Sequence, residues 1–312
     1  MRGPRSTGKG DLDGILIIDK PSGPTSHDLV ALVRRLSGVR RVGHGGTLDP
    51  FATGVLPVFV GRATRLVEYH MADQKAYRTL VAFGARSTTD DLNGELLAGE
   101  GPLPDRAAVD AALGAFRGAI RQVPPDHSAV RVDGRHAYEL ARGGEKPVLQ
   151  ARDVEILELR LTDWQEAAGR RTATLEVRCT AGTYVRSLAR DLGERLGCGA
   201  FLVALTRTAS GPFLLADAHT PDVIREAFAT GRWEGVLIPS DTGLEAFPPL
   251  TLGPDDLSGL LRGQVVRARV ATPDAGTAGH YRVRDASGRL AAIARLEGGR
   301  LHPEKVFLSR DD

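Results

Sequence analysis

Two kinds of apolar pattern, strand-like and helix-like, succeed one another along this chain without regular alternation, and that limits the architectures open to it. Residues 14–20 (GILIIDK) form an apolar, β-branched run that reads as a strand. Ser26 then reads as the N-cap of a helix through Leu36, with Leu29, Leu32, Val33 and Leu36 at helical spacing. Residues 76–83, 154–161 and 172–179 read as strands, and residues 106–116 and 185–196 as helices, the second ended by Gly197. A doubly wound sheet would alternate strand and helix, so the pattern predicts an α+β fold. Between Pro212 and Pro249 the periodicity weakens and prolines gather, which predicts a connector. Beyond it, residues 265–270, 280–284 and 290–296 are short alternating runs with Gly turns, the pattern of a small β-rich barrel or sandwich. A chain of 312 residues is long for one domain. The expected division is a flexible N-terminus over 1–13, a large domain over 14–245 and a small β-rich domain over 246–312.

Composition matters chiefly for what it excludes. No apolar run approaches the roughly 18–20 residues of a membrane span. The stretch from Met1 to Asp11 is polar and Gly-rich, without the apolar core of a signal peptide. Cys179 and Cys198 are the two cysteines and lie far apart, which suits a reducing compartment. These features predict a soluble, cytoplasmic protein. Net charge is only +2, but its distribution is uneven. Arg34, Arg35, Arg40 and Arg41 crowd into eight residues. Residues 262–312 carry ten Lys or Arg against six Asp or Glu, whereas residues 221–261 carry two against seven. A basic tail behind an acidic stretch suits a polyanion held at two places, although any one cluster alone reads as a solvated face. No phosphate loop and no strand-linked Gly-x-Gly-x-x-Gly is present, so nucleotide cofactors lack a cradle. No Cys-x-x-Cys pair and no His-Glu-x-x-His is present, so the zinc signatures are missing too. His44-Gly45-Gly46 has the look of an esterase oxyanion loop, but the Gly-x-Ser-x-Gly elbow it would serve does not occur.

What remains is a dense segment over residues 43–66, GHGGTLDPFATGVLPVFVGRATRL. Three glycines in four residues permit positive φ and close approach of backbone to a ligand. Pro50 pushes Asp49 out of helical geometry and into a turn. The apolar residues 54–60 that follow would anchor this turn as a buried strand or helix start. A carboxylate on a constrained loop backed by a packed element is how a nucleophile or general base is positioned. An isolated Asp-Pro is more often a plain turn, so the neighbours carry the argument.

Those neighbours resemble a known family. Residues 43–50 (GHGGTLDP), with Ala52, Gly54 and Leu56, are similar to the signature of the TruB-type pseudouridine synthases. Residues 16–23 (LIIDKPSG) resemble the family's N-terminal Lys-Pro segment. Lys75-Ala76-Tyr77-Arg78, Asp90-Asp91-Leu92-Asn93-Gly94, Ser128-Ala129 and Gly182-Thr183-Tyr184-Val185-Arg186-Ser187 follow in the family's order. So do Asp191-Leu192-Gly193 and Leu196-Gly197-Cys198-Gly199-Ala200, and the resemblance covers most of residues 14–211. The tail resembles a PUA-type RNA-binding module.

The resemblance implies a mixed-sheet catalytic domain with a PUA-like C-terminal domain. It implies an isomerase, a tRNA pseudouridine synthase acting on uridine in the T loop of tRNA at the position called 55. Its expected partner is the T arm of tRNA, and it is expected to act as a monomer with no obligatory protein partner and no membrane. No cofactor and no metal is implied, because breaking N1–C1′ and joining C5 to C1′ leaves the oxidation state unchanged. Asp49 corresponds to the family nucleophile and Arg186 to the arginine that pairs with it, with Asp91 holding Arg186 from the other side. Tyr77 would support the flipped base, an interaction worth ~1–3 kcal/mol against the cost of extrusion. The tyrosine at this position is also discussed in the family as a proton acceptor. His44 would fill the gap in the RNA stack, Tyr184 and Leu205 would line the pocket, and Lys20 would support the first strand or the site. Two departures stand out. Arg131 replaces the family lysine, which keeps the charge but not the compact ammonium. Ser87-Thr88-Thr89 replaces a Thr-Asp-Thr stretch, which bears on the hydrogen bonds around Asp91. Alternative readings are a guide-RNA-type synthase subunit, a non-catalytic RNA-binding or RNA-folding protein, and an aspartyl enzyme acting on phosphate or sugar. The last lacks an evident second carboxylate or acidic metal cluster near Asp49.

Overall fold

The computed structural model describes residues 12–132, 134–167, 169–267 and 279–308. Its strands and helices run, in chain order, β1 (Gly14–Lys20), α1 (Ser26–Ser37), β2 (Val42–His44), β3 (Thr53–Val60), α2 (Val67–Met71), β4 (Lys75–Phe83), β5 (Ala85–Ser87) and β6 (Leu96–Ala98). Then come α3 (Arg106–Leu113), β7 (Gly118–Gln122), β8 (Arg131–Val132), β9 (Arg135–His136), α4 (Ala137–Arg142), β10 (Arg152–Ala167), β11 (Arg170–Cys179), α5 (Val185–Arg195) and β12 (Ala200–Ser210). The remainder are β13 (Phe213–Leu214), α6 (Pro221–Ala229), β14 (Leu237–Ile238), β15 (Pro249–Thr251), α7 (Pro254–Leu261), β16 (Val266–Arg267), β17 (Gly279–Arg284), β18 (Leu290–Glu297) and β19 (Arg300–Val306).

Ten strands form one mixed sheet with the order β14-β1-β3-β12-β4-β11-β10-β7, to which β2 and β13 add at its side. Neighbouring strands are antiparallel except β3 and β12, which run parallel where Thr53 faces Thr206 and Gly54 faces Arg207. β3 carries a proline in mid-strand, which a fully paired strand would not accept. It is tolerated because β3 changes partner there: β2 pairs with residues 58–60, β12 with residues 53–54, and Pro57 lies between. The loop between β2 and β3, which carries Asp49, therefore crosses the sheet where it has a gap. One apolar core, with Leu175, Leu188, Leu192 and Leu202, packs α5 and α3 on the sheet and takes in Leu48 and Ala52 from that loop. A second core packs α1 and α6 against β1 and β3 through Leu29, Val33, Ile224 and Phe228. Asp49 thus stands on a loop anchored on both sides by buried apolar residues.

The α+β expectation holds: a mixed sheet with helices, followed by a second sheet of five strands, β15-β17-β18-β19-β16, with its own core around Val283, Ala292 and Leu301. Several local expectations are corrected. Thr25, not Ser26, caps α1: its side chain accepts from Asp28 N while the Asp28 carboxylate accepts from Thr25 N, a reciprocal box. Ser26 instead turns inward and exchanges hydrogen bonds with the backbone of Leu48 at 2.9 and 3.1 Å, tying the helix to the Asp49 loop. The stretch from Pro212 to Pro249 is no mere connector. Pro221 opens α6 as a first-turn proline, Thr220 caps it, and β14 adds to the edge of β1. The tail holds two strands that the sequence pattern does not reveal, β15 and β19. The run expected at 265–270 is described only as far as Arg267, residues 268–270 lying outside the described residues. The N-terminal residues 1–11 also lie outside them. Among the described residues, no helix is long and apolar enough to cross a membrane.

Candidate active site

Asp49 sits at the first position of a tight turn closed by the Ala52 amide on the Asp49 carbonyl at 3.1 Å, with Pro50 next in line. Its carboxylate is gripped by Arg186 through two atoms: Nη2 donates to Oδ1 at 3.0 Å and Nε lies 2.9 Å from Oδ2. Arg186 is in the first turn of α5, where the helix dipole disfavours a cation. It is 4% exposed and is held there by further acceptors, the Thr89 carbonyl at 3.2 Å, the His127 carbonyl at 2.9 Å and Asp91 at 3.8 Å. Asp91 is fixed in turn by the Thr89 hydroxyl at 2.7 Å and the Asn93 amide at 2.9 Å. The Ser-Thr-Thr sequence therefore supplies a hydroxyl that this carboxylate needs. Next to it Asp90 adopts a left-handed backbone (φ 61), and its carboxylate meets Arg190, one turn further along α5, at 3.0 Å.

Burial raises the Asp49 carboxyl above its ordinary range, and the Arg186 guanidinium pulls it back down. One side of the group is still open: its side chain is 32% exposed, toward a cavity of about 690 Å³. Seven of the eight residues singled out in the sequence (His44, Asp49, Tyr77, Asp91, Tyr184, Arg186 and Leu205) line this cavity. Lys20 is the exception. It is fully buried behind the loop, where its ammonium donates to the carbonyls of Pro21, Pro50 and Ala52 at 3.0, 3.0 and 2.7 Å. Burial lowers it to about 8, with Asp49 opposing. His44 is half-buried, and desolvation lowers its pKa, so the ring is neutral at pH 7. Burial raises the Tyr77 phenol, with Arg207 opposing, so it too is neutral and fit to stack. Tyr184 is the N-cap residue of α5. The side-chain amide of buried Gln122 takes its N–H at 2.7 Å and gives to its carbonyl at 2.9 Å, which sets the start of the helix. Arg131 is exposed in a short hairpin of β8 with β9 and is not among the residues lining the cavity.

One residue of the site has no counterpart among the sequence-based expectations. Arg207, on β12, is 1% exposed and reaches under the glycine loop. It donates to the carbonyls of Val55 at 2.7 Å, Gly46 at 3.1 Å and Thr47 at 3.4 Å, and it lines the cavity beside Tyr77. Gly54 makes this approach possible. A Cβ on it would come within 2.2 Å of the Arg207 carbonyl, so only glycine lets β3 and β12 meet. A charged residue in the middle of an apolar strand, between two threonines, was the available signal.

No group of three or more His, Cys, Asp or Glu among the described residues is placed to hold a metal ion. The arrangement is a carboxylate aimed by a guanidinium, sharing one cavity with a neutral aromatic ring.

Residues 34–185 match the family described as TruB family pseudouridylate synthase (N terminal domain). Residues 186–245 match the tRNA pseudouridylate synthase B C-terminal domain. A tRNA pseudouridine synthase B of Pseudomonas aeruginosa is 42% identical over 302 residues, covering 96% of this chain and 97% of that protein. One of Nitrobacter winogradskyi is 42% identical over 306 residues, 96% of this chain and 84% of the other. Among solved structures, a chain of an H/ACA ribonucleoprotein bound to a substrate RNA containing 2′-deoxyuridine is similar in fold, with a TM-score of 0.70 at 24% identity over 96% of this chain and 86% of that one. A chain of a Cbf5-Nop10-Gar1 complex has a TM-score of 0.70 at 25% identity, covering 99% and 88%.

Proposed function

This chain belongs to the TruB family of pseudouridylate synthases, and from that premise we propose that it isomerises uridine to pseudouridine in the T loop of tRNA, with Asp49 as nucleophile. The observation that carries this reading is the Asp49–Arg186 ion pair on the wall of a cavity that Tyr77 shares. The target base is stacked within a folded loop and has to be extruded, at a cost of a few kcal/mol. Tyr77 receives it, and His44, which lines the same cavity, takes the place it leaves. Arg186 favours the ionised form of Asp49 against the burial that raises its carboxyl. The N1–C1′ bond breaks, the uracil turns, and C5 bonds to C1′. N1 gains a proton and C5 loses one, so no electron carrier is required. Tyr77 is protonated at rest and can take up the C5 proton only as it gives up its own.

We read the chain as acting alone in the cytoplasm, since the 42% likeness is to proteins named tRNA pseudouridine synthase B, whereas the likeness to chains of an H/ACA ribonucleoprotein and of a Cbf5-Nop10-Gar1 complex is 24–25%. In the same reading residues 246–312 are a PUA-like module that holds RNA, supported by a separate core and by the basic balance of the tail. Tritium release from C5-labelled uridine in unmodified tRNA tests the reaction. Release by the parent chain and none by Asp49→Asn, with RNA binding retained, is the expected result. Normal turnover by Asp49→Asn overturns the assignment.

A further inference from the structure

Two buried lysines flank the catalytic loop, and they are used differently. Lys20 directs its three N–H donors at three carbonyls and is not part of the cavity lining. Lys75 is 6% exposed and does line the cavity, yet among the described residues its ammonium has one hydrogen bond, a 3.3 Å contact to the His70 carbonyl. An ammonium carries three donors, and leaving them dry is costly. The nearby groups are engaged elsewhere. Arg207 is committed to the carbonyls beneath the glycine loop. Asp49 and Asp91 belong to Arg186, and Asp73 accepts from the His70 ring at 3.2 Å. Lys75 and Tyr77 stand two positions apart on β4, on one face and about 6.6–6.8 Å apart along the strand. Both line the cavity. A base against Tyr77 would leave the ammonium about one backbone repeat away along the strand, within reach of a phosphate flanking that nucleotide.

We propose that Lys75 is the anchor of a phosphodiester subsite in the cavity wall, which binds a backbone phosphate next to the extruded nucleotide. The inference rests on the uridine-pocket reading and deepens it. The ligand chemistry is a singly charged phosphate oxygen pair, and the source is the substrate RNA itself.

The test is binding of a T-arm RNA to the full chain carrying Asp49→Asn, with Lys75 intact or changed to Met or Arg, across a range of salt. Lys75→Met is expected to weaken binding roughly 10- to 150-fold, the worth of one hydrogen bond to a charged group. It is also expected to make the slope of log Kd against log salt shallower by about 0.7–0.9. Lys75→Arg is expected to restore most of the affinity and the slope. An RNA with one uncharged methylphosphonate linkage beside the target uridine should bind the Lys75 protein weakly and lose nothing further with Lys75→Met. An unchanged salt slope, or equal losses from the methylphosphonate with and without Lys75, overturns the subsite. If Lys75→Met does not fold, the methylphosphonate is compared on the Lys75 and Lys75→Arg chains. Weakened binding to both then supports the subsite, and undiminished binding to both overturns it. Failure of the underlying reaction is seen separately, as absence of tritium release from the parent chain.

Discussion

The two sides of the cavity handle charge in different ways. On the α5 side, charge answers charge: Asp49, Arg186 and Asp91 form one run, and Asp90, Arg190 and Asp191 form another a turn away. On the β3–β12 side, Lys20 and Arg207 are met by neutral backbone carbonyls. Ion pairing aims a side chain, because the geometry of a guanidinium fork is fixed. Carbonyl capping instead fixes the path of the backbone, and it leaves the cation's field uncancelled for Asp49 to feel. One wall thus sets where the carboxylate points, and the other sets where its loop lies.

This contrast can be broken in stages. Asp49→Asn removes the proposed nucleophile and should lower tritium release by at least ~10³-fold, with RNA affinity within a few-fold; substantial residual turnover would mean that neither wall serves a nucleophile. Arg186→Met strands two carboxylates and should cost about 3–5 kcal/mol of stability, seen in chemical denaturation, together with most of the activity. Arg186→Lys should recover stability better than turnover, because it restores charge without the fork. Arg207→Met orphans carbonyls at roughly 1–3 kcal/mol each, and its expected signature is a fall in kcat as the Gly46–Thr47 backbone drifts, with the Asp49–Arg186 pair intact. Equal damage to kcat and RNA binding would erase the distinction between aiming and shaping. Thr89→Val removes one hydrogen bond to Asp91 and should cost about 1 kcal/mol with a modest loss of rate. The smallest effect is in pH. Burial holds Asp49 above the ordinary 3.8, so the folded state binds this proton more tightly than the unfolded chain. Ionising Asp49 therefore lowers stability as pH rises from the unfolded value through the folded one. Over the same window kcat/KM should rise, and an acid limb at the unshifted carboxylate value would contradict the burial.

The α5 side is the more legible of the two in the sequence. Asp49, Tyr77, Asp91 and Arg186 lie in motifs with recognisable neighbours, and a turn at Asp-Pro follows from sterics alone. The β3–β12 side hides itself. β12 (AFLVALTRTAS) is an apolar run, but Arg207 within it reads as a solvent-facing residue unless the loop it caps is already known. Lys20 reads only as a support for the strand or site, because a lysine bound to three carbonyls leaves no mark in spacing. The helix α6 escapes the pattern because its opening proline reads as a breaker, when a proline in the first turn starts a helix as readily. Pairwise partners across the fold are what the pattern lacks.

β3 has the Asp49 loop at its start and, just past its end, the turn over residues 61–66. There Arg62 donates to the Phe307 carbonyl and Arg65 to the Val306 carbonyl, while Lys305 meets Glu68 at 2.6 Å, so the second sheet is clasped to that end. Next to that clasp, Tyr69 packs edge-on against His280 of the second sheet, and Met71, two residues on, lines the cavity. The second sheet and the cavity wall therefore share one short helix, α2.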